Sequence, residues 1–120
     1  MIKIANSIEE YKKCLNFLEK FNYKTLIYTI LFYIEVKGEI ICVAGYHRDW
    51  GSMIEPMYSE KSLRGVRAGK EMYLFVSDYL KKIGHVIVRF KTENQNLVKL
   101  MQKHYDFKKE DSLTYMVKEL

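Results

Sequence analysis

Residues 60–73, "EKSLRGVRAGKEMY", decide how this chain is read. Lys61, Arg64, Arg67 and Lys70 surround Gly65 and Gly69. A helical apolar stripe then begins, with Met72, Val76, Tyr79 and Ile83, and Gly84 ends it. Upstream runs "TLIYTILFYIEVKGEIICVAGYHRDWGSMIEPMYSE", dense in β-branched and aromatic residues. The stretch is therefore a strand, a basic glycine loop and a helix in succession. Glycine lets backbone amides approach a ligand without an intervening Cβ. A helix start offers unpaired amides and partial positive charge, which suits phosphate. Guanidinium and ammonium groups add charged hydrogen bonds at the same point. The pattern R-G-x-R-x-G thus reads as a pyrophosphate cradle, with a glycine turn carrying solvated charges as the alternative. Two better-known glycine loops do not fit. Gly65 to Gly69 is one residue too short for a P-loop, and no G-x-G-x-x-G is present.

Working outward, "VKGE" and "HRDWGS" punctuate the β-rich run into strands at about 25–36, 39–47 and 52–59, an antiparallel meander. Pro56, the only proline, falls inside the third strand and predicts an edge, a bulge or a splayed strand there. On the N-terminal side, residues 1–5 alternate as a short strand. Ser7 and Glu10 form a capping box, followed by a stripe of Ile8, Tyr11, Leu15, Leu18 and Phe21 ending near Asn22. On the C-terminal side, "HVIVRFKT" is a strand. Thr92 and Gln95 form a second capping box, and Leu97, Leu100, Met101 and His104 or Tyr105 stripe a third helix. "SLTYMVKEL" closes the chain as a strand. The order β-α-β-β-β-α-β-α-β predicts an α/β (α+β) architecture, a mixed sheet with helices packed on it.

The chain has 120 residues, which suits one domain over residues 1–120. Six glycines and one proline leave no flexible linker. No apolar run reaches the ~18 residues of a membrane span, and "MIKIANS" lacks the pattern of a signal peptide. Cys14 and Cys42 lack C-x-x-C spacing, so buried reduced thiols in a cytoplasmic protein are expected. The net charge of +5 points only weakly to an anionic partner, a phosphorylated cofactor, nucleic acid or acidic protein; the lysines are scattered, so on charge alone a solvated lysine-rich surface is the favoured reading. His47, His85 and His104 lack zinc-ligand spacing, so no metal is expected. "VIVRFKT" is too weak for a base-stacking strand motif, which leaves nucleic acid an outside alternative.

Element order, loop and ending together resemble the GNAT superfamily of N-acyltransferases, which use acetyl-CoA. The family loop, R/Q-x-x-G-x-G/A, is similar to Arg64-Gly65-Val66-Arg67-Ala68-Gly69, matching at Arg64 and Gly69 with Arg67 at the middle glycine. The stretch "YLFVSDYLKKIGHVIVRFKTENQNLVKLMQKHYDF" resembles the family's helix, strand and N-x-x-A-x-x-L-Y-x-x-x-G-F. The resemblance implies a GNAT-like, mostly antiparallel mixed sheet flanked by helices. It implies acetyl-CoA as cosubstrate and an amine acceptor. Amides from Arg64 to Gly69, with Lys70 beside them, are implied to hold the pyrophosphate. Main-chain groups around Met57 and Ser59 are implied to run beside pantetheine, and Asn94, or Gln95 in a register set by Phe107, to take the place of the family asparagine. The family's tyrosine, the general acid, aligns with Gln102, leaving Tyr105 one turn on as the substitute. The glycine before Phe107 is Asp106.

Acetyl transfer needs a base for the amine and an acid for the leaving thiolate. Glu55, beside the implied cosubstrate, is the candidate base, with a solvent-facing strand residue as the alternative. His47 and Asp49 mark an acceptor site or simply a polar turn. Arg67, Gln102 and a short N-terminal helical region also suit a GNAT-fold module that has lost catalysis. The short region leaves the acceptor side open to a protein, or to a second copy of the chain.

Overall fold

A computed structural model describes residues 1–24, 29–47, 53–91, 95–105, 107–110 and 115–120. The elements run β1 (Ile2–Ile4), α1 (Ile8–Glu19), β2 (Ile30–Val36), β3 (Glu39–Tyr46), β4 (Met53–Ser59), α2 (Leu63–Lys82), β5 (Ile87–Lys91), α3 (Gln95–His104), β6 (Lys108–Glu110) and β7 (Tyr115–Glu119). The strands form one seven-stranded mixed sheet in the order β1-β2-β3-β4-β5-β7-β6. Every neighbouring pair is antiparallel except β4 and β5, which are parallel because α2 crosses over between them. The predicted mixed, mostly antiparallel architecture is therefore observed.

Local chemistry explains the elements. Ser7 caps α1, its hydroxyl accepting from the Glu10 amide at 3.1 Å and donating to the Glu10 carboxylate. Lys37 and Gly38 both have positive φ, 51° and 80°, the backbone of a two-residue hairpin turn between β2 and β3. Gly84, at φ 103°, stops α2, and the His85 amide reaches back to the Leu80 carbonyl at 3.0 Å.

Both faces of the sheet are covered. On one, Leu31, Tyr33 and Val43 meet Cys14, Phe17 and Leu18 of α1. On the other, Phe32, Cys42, Ala44 and Ile54 meet Ala68, Met72, Val76 and Leu80 of α2. Val98 and Met101 of α3 join that second cluster. Such two-sided burial is why β2 and β3 read as continuous apolar runs rather than as alternation.

Three expectations need correction. Ile8 is 76% exposed, so it lies outside the buried stripe of α1; Cys14, a small apolar side chain, centres that stripe instead. The helix α2 begins at Leu63, so residues 64–69 belong to the helix and the connecting loop is only Glu60–Ser62. β6 was absent from the expected order; "KKE" carries no apolar alternation and is a strand only because β7 pairs with it. Thr92 of the second capping box lies outside the described residues.

Candidate active site

The site is set by how β4 crosses the middle of the sheet. Against β3, Ala44 pairs with Met57 and Tyr46 with Ile54, so Glu55 and Pro56 together oppose Gly45. That extra residue is a β-bulge at the predicted proline. Against β5, only Met53 and Ile54 pair, with Arg89 and Phe90. Beyond the bulge, among the described residues, the β5-facing edge of Glu55–Ser59 has no strand partner. Its other edge stays fixed, because Cys42, Val43 and Ala44 pair with Ser59, Tyr58 and Met57. Backbone groups left open this way invite an extended ligand to add as a strand.

At the end of β4 the chain turns into α2. Ser62 is the N-cap, its hydroxyl accepting from the Gly65 amide at 3.0 Å. The Val66 amide bonds the Ser62 carbonyl at 3.0 Å. Among first-turn donors this leaves the amides of Leu63 and Arg64. Of the amides from Arg64 to Gly69, those from Gly65 onward are therefore taken up at the cap or inside the helix. Gly65 is buried because the chain doubles back on itself: a Cβ there would lie 1.7 Å from the Glu60 carbonyl oxygen. Gly69 faces Ser59, whose Oγ would be 3.4 Å from its Cβ, an ordinary contact.

The charges are arranged unexpectedly. Arg64 forks onto Glu60, Nε to Oε2 at 2.7 Å and Nη2 to Oε1 at 2.8 Å. Ser62 Oγ also donates to Glu60 Oε2 at 2.6 Å, and Glu39 of β3 lies 3.5 Å from Arg64 Nη2. The Arg64 fork, with help from Ser62, holds the Glu60 carboxyl down at about 2. Glu60 escaped the sequence reading although its spacing to Arg64, four residues, is that of a charge pair on a helical surface. Arg67 and Lys70, by contrast, are exposed on the first turns of α2 and have no ion-pair partner among the described residues.

Met57 leans on the main apolar cluster and Ser59 faces Gly69, so the β4 residues and the start of α2 do come together. Val66 is exposed and Ala68 buried against the sheet. Glu55 sits half-buried in the bulge. Tyr105, past the end of α3, sets its ring edge-on to Tyr73 of α2 at 5.1 Å, and Gln102 is exposed. Asn94 and Asp49 lie outside the described residues. His47 is buried at 3% exposure. A hollow of about 320 Å³ opens on the α1 side of the Glu60 loop, lined by Phe17, Phe21 and Ile40 and rimmed by Lys20, Lys61 and Glu39. It adjoins the turn that leads into α2, and Glu55 is not part of its lining. Among the described residues no group of three or more His, Cys, Asp or Glu side chains is gathered as for a metal ion, and no helix is long and apolar enough to cross a membrane.

No family model matches the sequence, and no curated protein sequence matches it. Solved structures do. A GNAT-family acetyltransferase from Staphylococcus aureus Mu50 is 14% identical with a TM-score of 0.69, over 100% of this chain and 99% of that one. The aminoglycoside 6′-N-acetyltransferase from Enterococcus faecium is 11% identical with a TM-score of 0.70, over 99% and 96%. An aminoglycoside 6′-N-acetyltransferase complexed with coenzyme A is 12% identical with a TM-score of 0.72, again over 99% and 96%. At these identities the likeness concerns the backbone alone: the chain has the fold of GNAT acetyltransferases.

Proposed function

We propose that the chain is an acetyl-CoA-dependent N-acyltransferase acting on an amine. The observation that carries this reading is the open edge of β4 beyond the Glu55–Pro56 bulge, with the start of α2 at its end. Coenzyme A presents amides along pantetheine and a diphosphate beyond them, and both ends have a counterpart here. The main chain of Met57 and Ser59 pairs with the pantetheine amides. The amides of Leu63 and Arg64 face the diphosphate, with Arg67 and Lys70 adding charge about one and two turns on. Gly65 and Ala68 supply close packing around that point, and Gly69 an ordinary contact with Ser59, rather than ligand contacts. Asn94 takes the part of the family asparagine.

Bound acetyl-CoA supplies an activated acyl group. Glu55 takes the proton that the acceptor ammonium must lose before its nitrogen can attack the thioester carbonyl. Tyr105 delivers a proton to the sulfur as the carbon–sulfur bond breaks. The amine has no identity yet, and the short helical region before β2 leaves room for a bulky acceptor or for a second copy of the chain.

A second reading, a GNAT-fold binding module without catalysis, is favoured by one observation: Arg64 is already engaged by Glu60. Calorimetry with coenzyme A, paired with thermal melts, separates the two. Binding of coenzyme A raises the melting temperature, because a ligand present at a hundred times its Kd adds about 2.7 kcal/mol. Absence of heat and of any melting shift would end the enzymatic reading. Given binding and an acceptor found by screening amines, Glu55→Gln should lower kcat by about 100-fold or more without changing coenzyme A affinity. Unchanged turnover removes Glu55 from the role.

A further inference from the structure

We infer that Glu60 sets how tightly this chain takes a diphosphate: its carboxylate is an internal anion that competes with the ligand for Arg64 and for the mouth of α2. The inference rests on the coenzyme A reading and adds to it a residue that the family pattern does not contain.

Three observations support it. First, the main chain of Glu60 is pinned. Its amide donates to the Ile41 carbonyl at 2.8 Å, and its carbonyl accepts from the Ser62 amide at 2.9 Å. The same carbonyl occupies the space beside Gly65 that any Cβ would need. The carboxylate therefore cannot leave the mouth of α2 by loop movement; only side-chain rotation frees it. Second, both its oxygens are engaged by groups that a phosphate could use. Arg64 forks both oxygens and the Ser62 hydroxyl adds a third bond. A bidentate guanidinium pair is matched in geometry by carboxylate and phosphate alike. Third, the arrangement is exchangeable rather than sealed. The Glu60 side chain remains 34% exposed and that of Arg64 45%. Partly solvated pairs of this kind yield to a competitor of higher charge. A diphosphate brings more charge than one carboxylate, and Lys61, Arg67 and Lys70 stand exposed nearby, without ion-pair partners among the described residues, to draw it in. Glu39, 3.5 Å from Arg64, is a second and weaker brake of the same sign.

The test titrates wild type, Glu60→Gln and Glu39→Gln with coenzyme A and with inorganic pyrophosphate at fixed ionic strength. Glutamine keeps the shape and an acceptor oxygen but removes the charge. E60Q should bind both probes about tenfold more tightly than wild type, and E39Q should shift the same way by less. Binding by E60Q alone supports the inference in its strongest form, a site held shut. If wild type binds coenzyme A and neither variant tightens, Glu60 is not a competitor, and the coenzyme A reading stands without it. If no protein binds either probe, the coenzyme A reading falls and the inference goes with it. Should E60Q fail to fold, the exposed E39Q decides by direction: no tightening overturns the inference.

Discussion

The ring of Pro56 closes over the bare α-carbon of Gly45. A Cβ on Gly45 would lie 2.7 Å from Pro56 Cδ, 2.7 Å from Thr29 Cγ2 and 2.8 Å from the Glu55 carbonyl oxygen. The bulge that turns β4 away from β5 therefore depends on a residue of β3. Gly45→Ala should cost about 1 to 3 kcal/mol, since the strands must separate or the proline must shift. Urea unfolding of the two proteins measures it. A midpoint equal to that of wild type would show that the bulge relaxes freely.

Much of this geometry can be traced to single residues. Lys37-Gly38 marks the hairpin, Ser7 with Glu10 the first helix, Gly84 the end of α2, and Pro56 the bulge. Each is a short-range rule acting on adjacent residues. The start of α2 was misplaced because Gly65 and Gly69 look like loop residues; inside the fold Gly65 serves close packing against Glu60, while Gly69 makes only ordinary contact with Ser59. The role of Glu60 was hidden for the same reason, since a loop reading gives no cause to count four residues from Glu60 to Arg64. β6 depends wholly on its partner β7, a long-range fact that no local pattern encodes. Tyr105 was reached through the family resemblance, one helical turn past Gln102, and its neighbour Tyr73 comes from another helix.

The two cysteines should be inert in the native protein. Cys14 sits on the sheet-facing side of α1 and Cys42 lies on β3 under α2, in clusters on opposite faces of the sheet. They cannot meet to form a disulfide. Burial pushes both thiols up to about 12, with Glu10 and Glu35 adding to the effect at Cys14. A raised native value means that this contribution is intact below about 9, the ordinary thiol value, and is lost as pH rises toward 12. At pH 8 a thiol reagent should modify neither cysteine faster than the protein opens, and urea should expose both together. A rapid phase of one equivalent would place one of the two at the surface.

Glu60 gives the protein a specific acid sensitivity. Its carboxyl is held at about 2 in the fold, against an ordinary 4.5. A depressed native value stabilises above the ordinary value and loses that contribution as pH falls from about 4.5 through 2. Glu10, lowered chiefly by its bond from the Tyr33 hydroxyl, acts in the same direction. Wild type should therefore lose stability on acidification, and E60Q should lose less across that window. High salt should narrow the difference between them, because the Arg64 pair is partly solvated. Identical pH profiles for the two proteins would mean that the Arg64 fork contributes nothing to stability.

Variants of Gly65 and Gly69 test where along the chain the proposed ligand end lies. Family resemblance wants bare backbone at Gly69, whereas the fold puts that residue well inside α2 and leaves only an ordinary 3.4 Å contact with Ser59 Oγ for a new Cβ. Alanine is favoured over glycine within a helix by about 1 kcal/mol, so Gly69→Ala should hold or raise the melting temperature. It should also bind coenzyme A as wild type does. Gly65→Ala is the opposite case: its Cβ would fall 1.7 Å from the Glu60 carbonyl oxygen and 2.6 Å from its carbon. The loop must move, at a cost of about 3 kcal/mol, and with it the amides of Leu63 and Arg64 and the carboxylate of Glu60. Melting curves and coenzyme A titrations on the two variants give four readings. If G69A keeps full stability yet loses the ligand, the diphosphate is held deeper along α2 than Ser62–Arg64, and the backbone at Gly69 touches it after all.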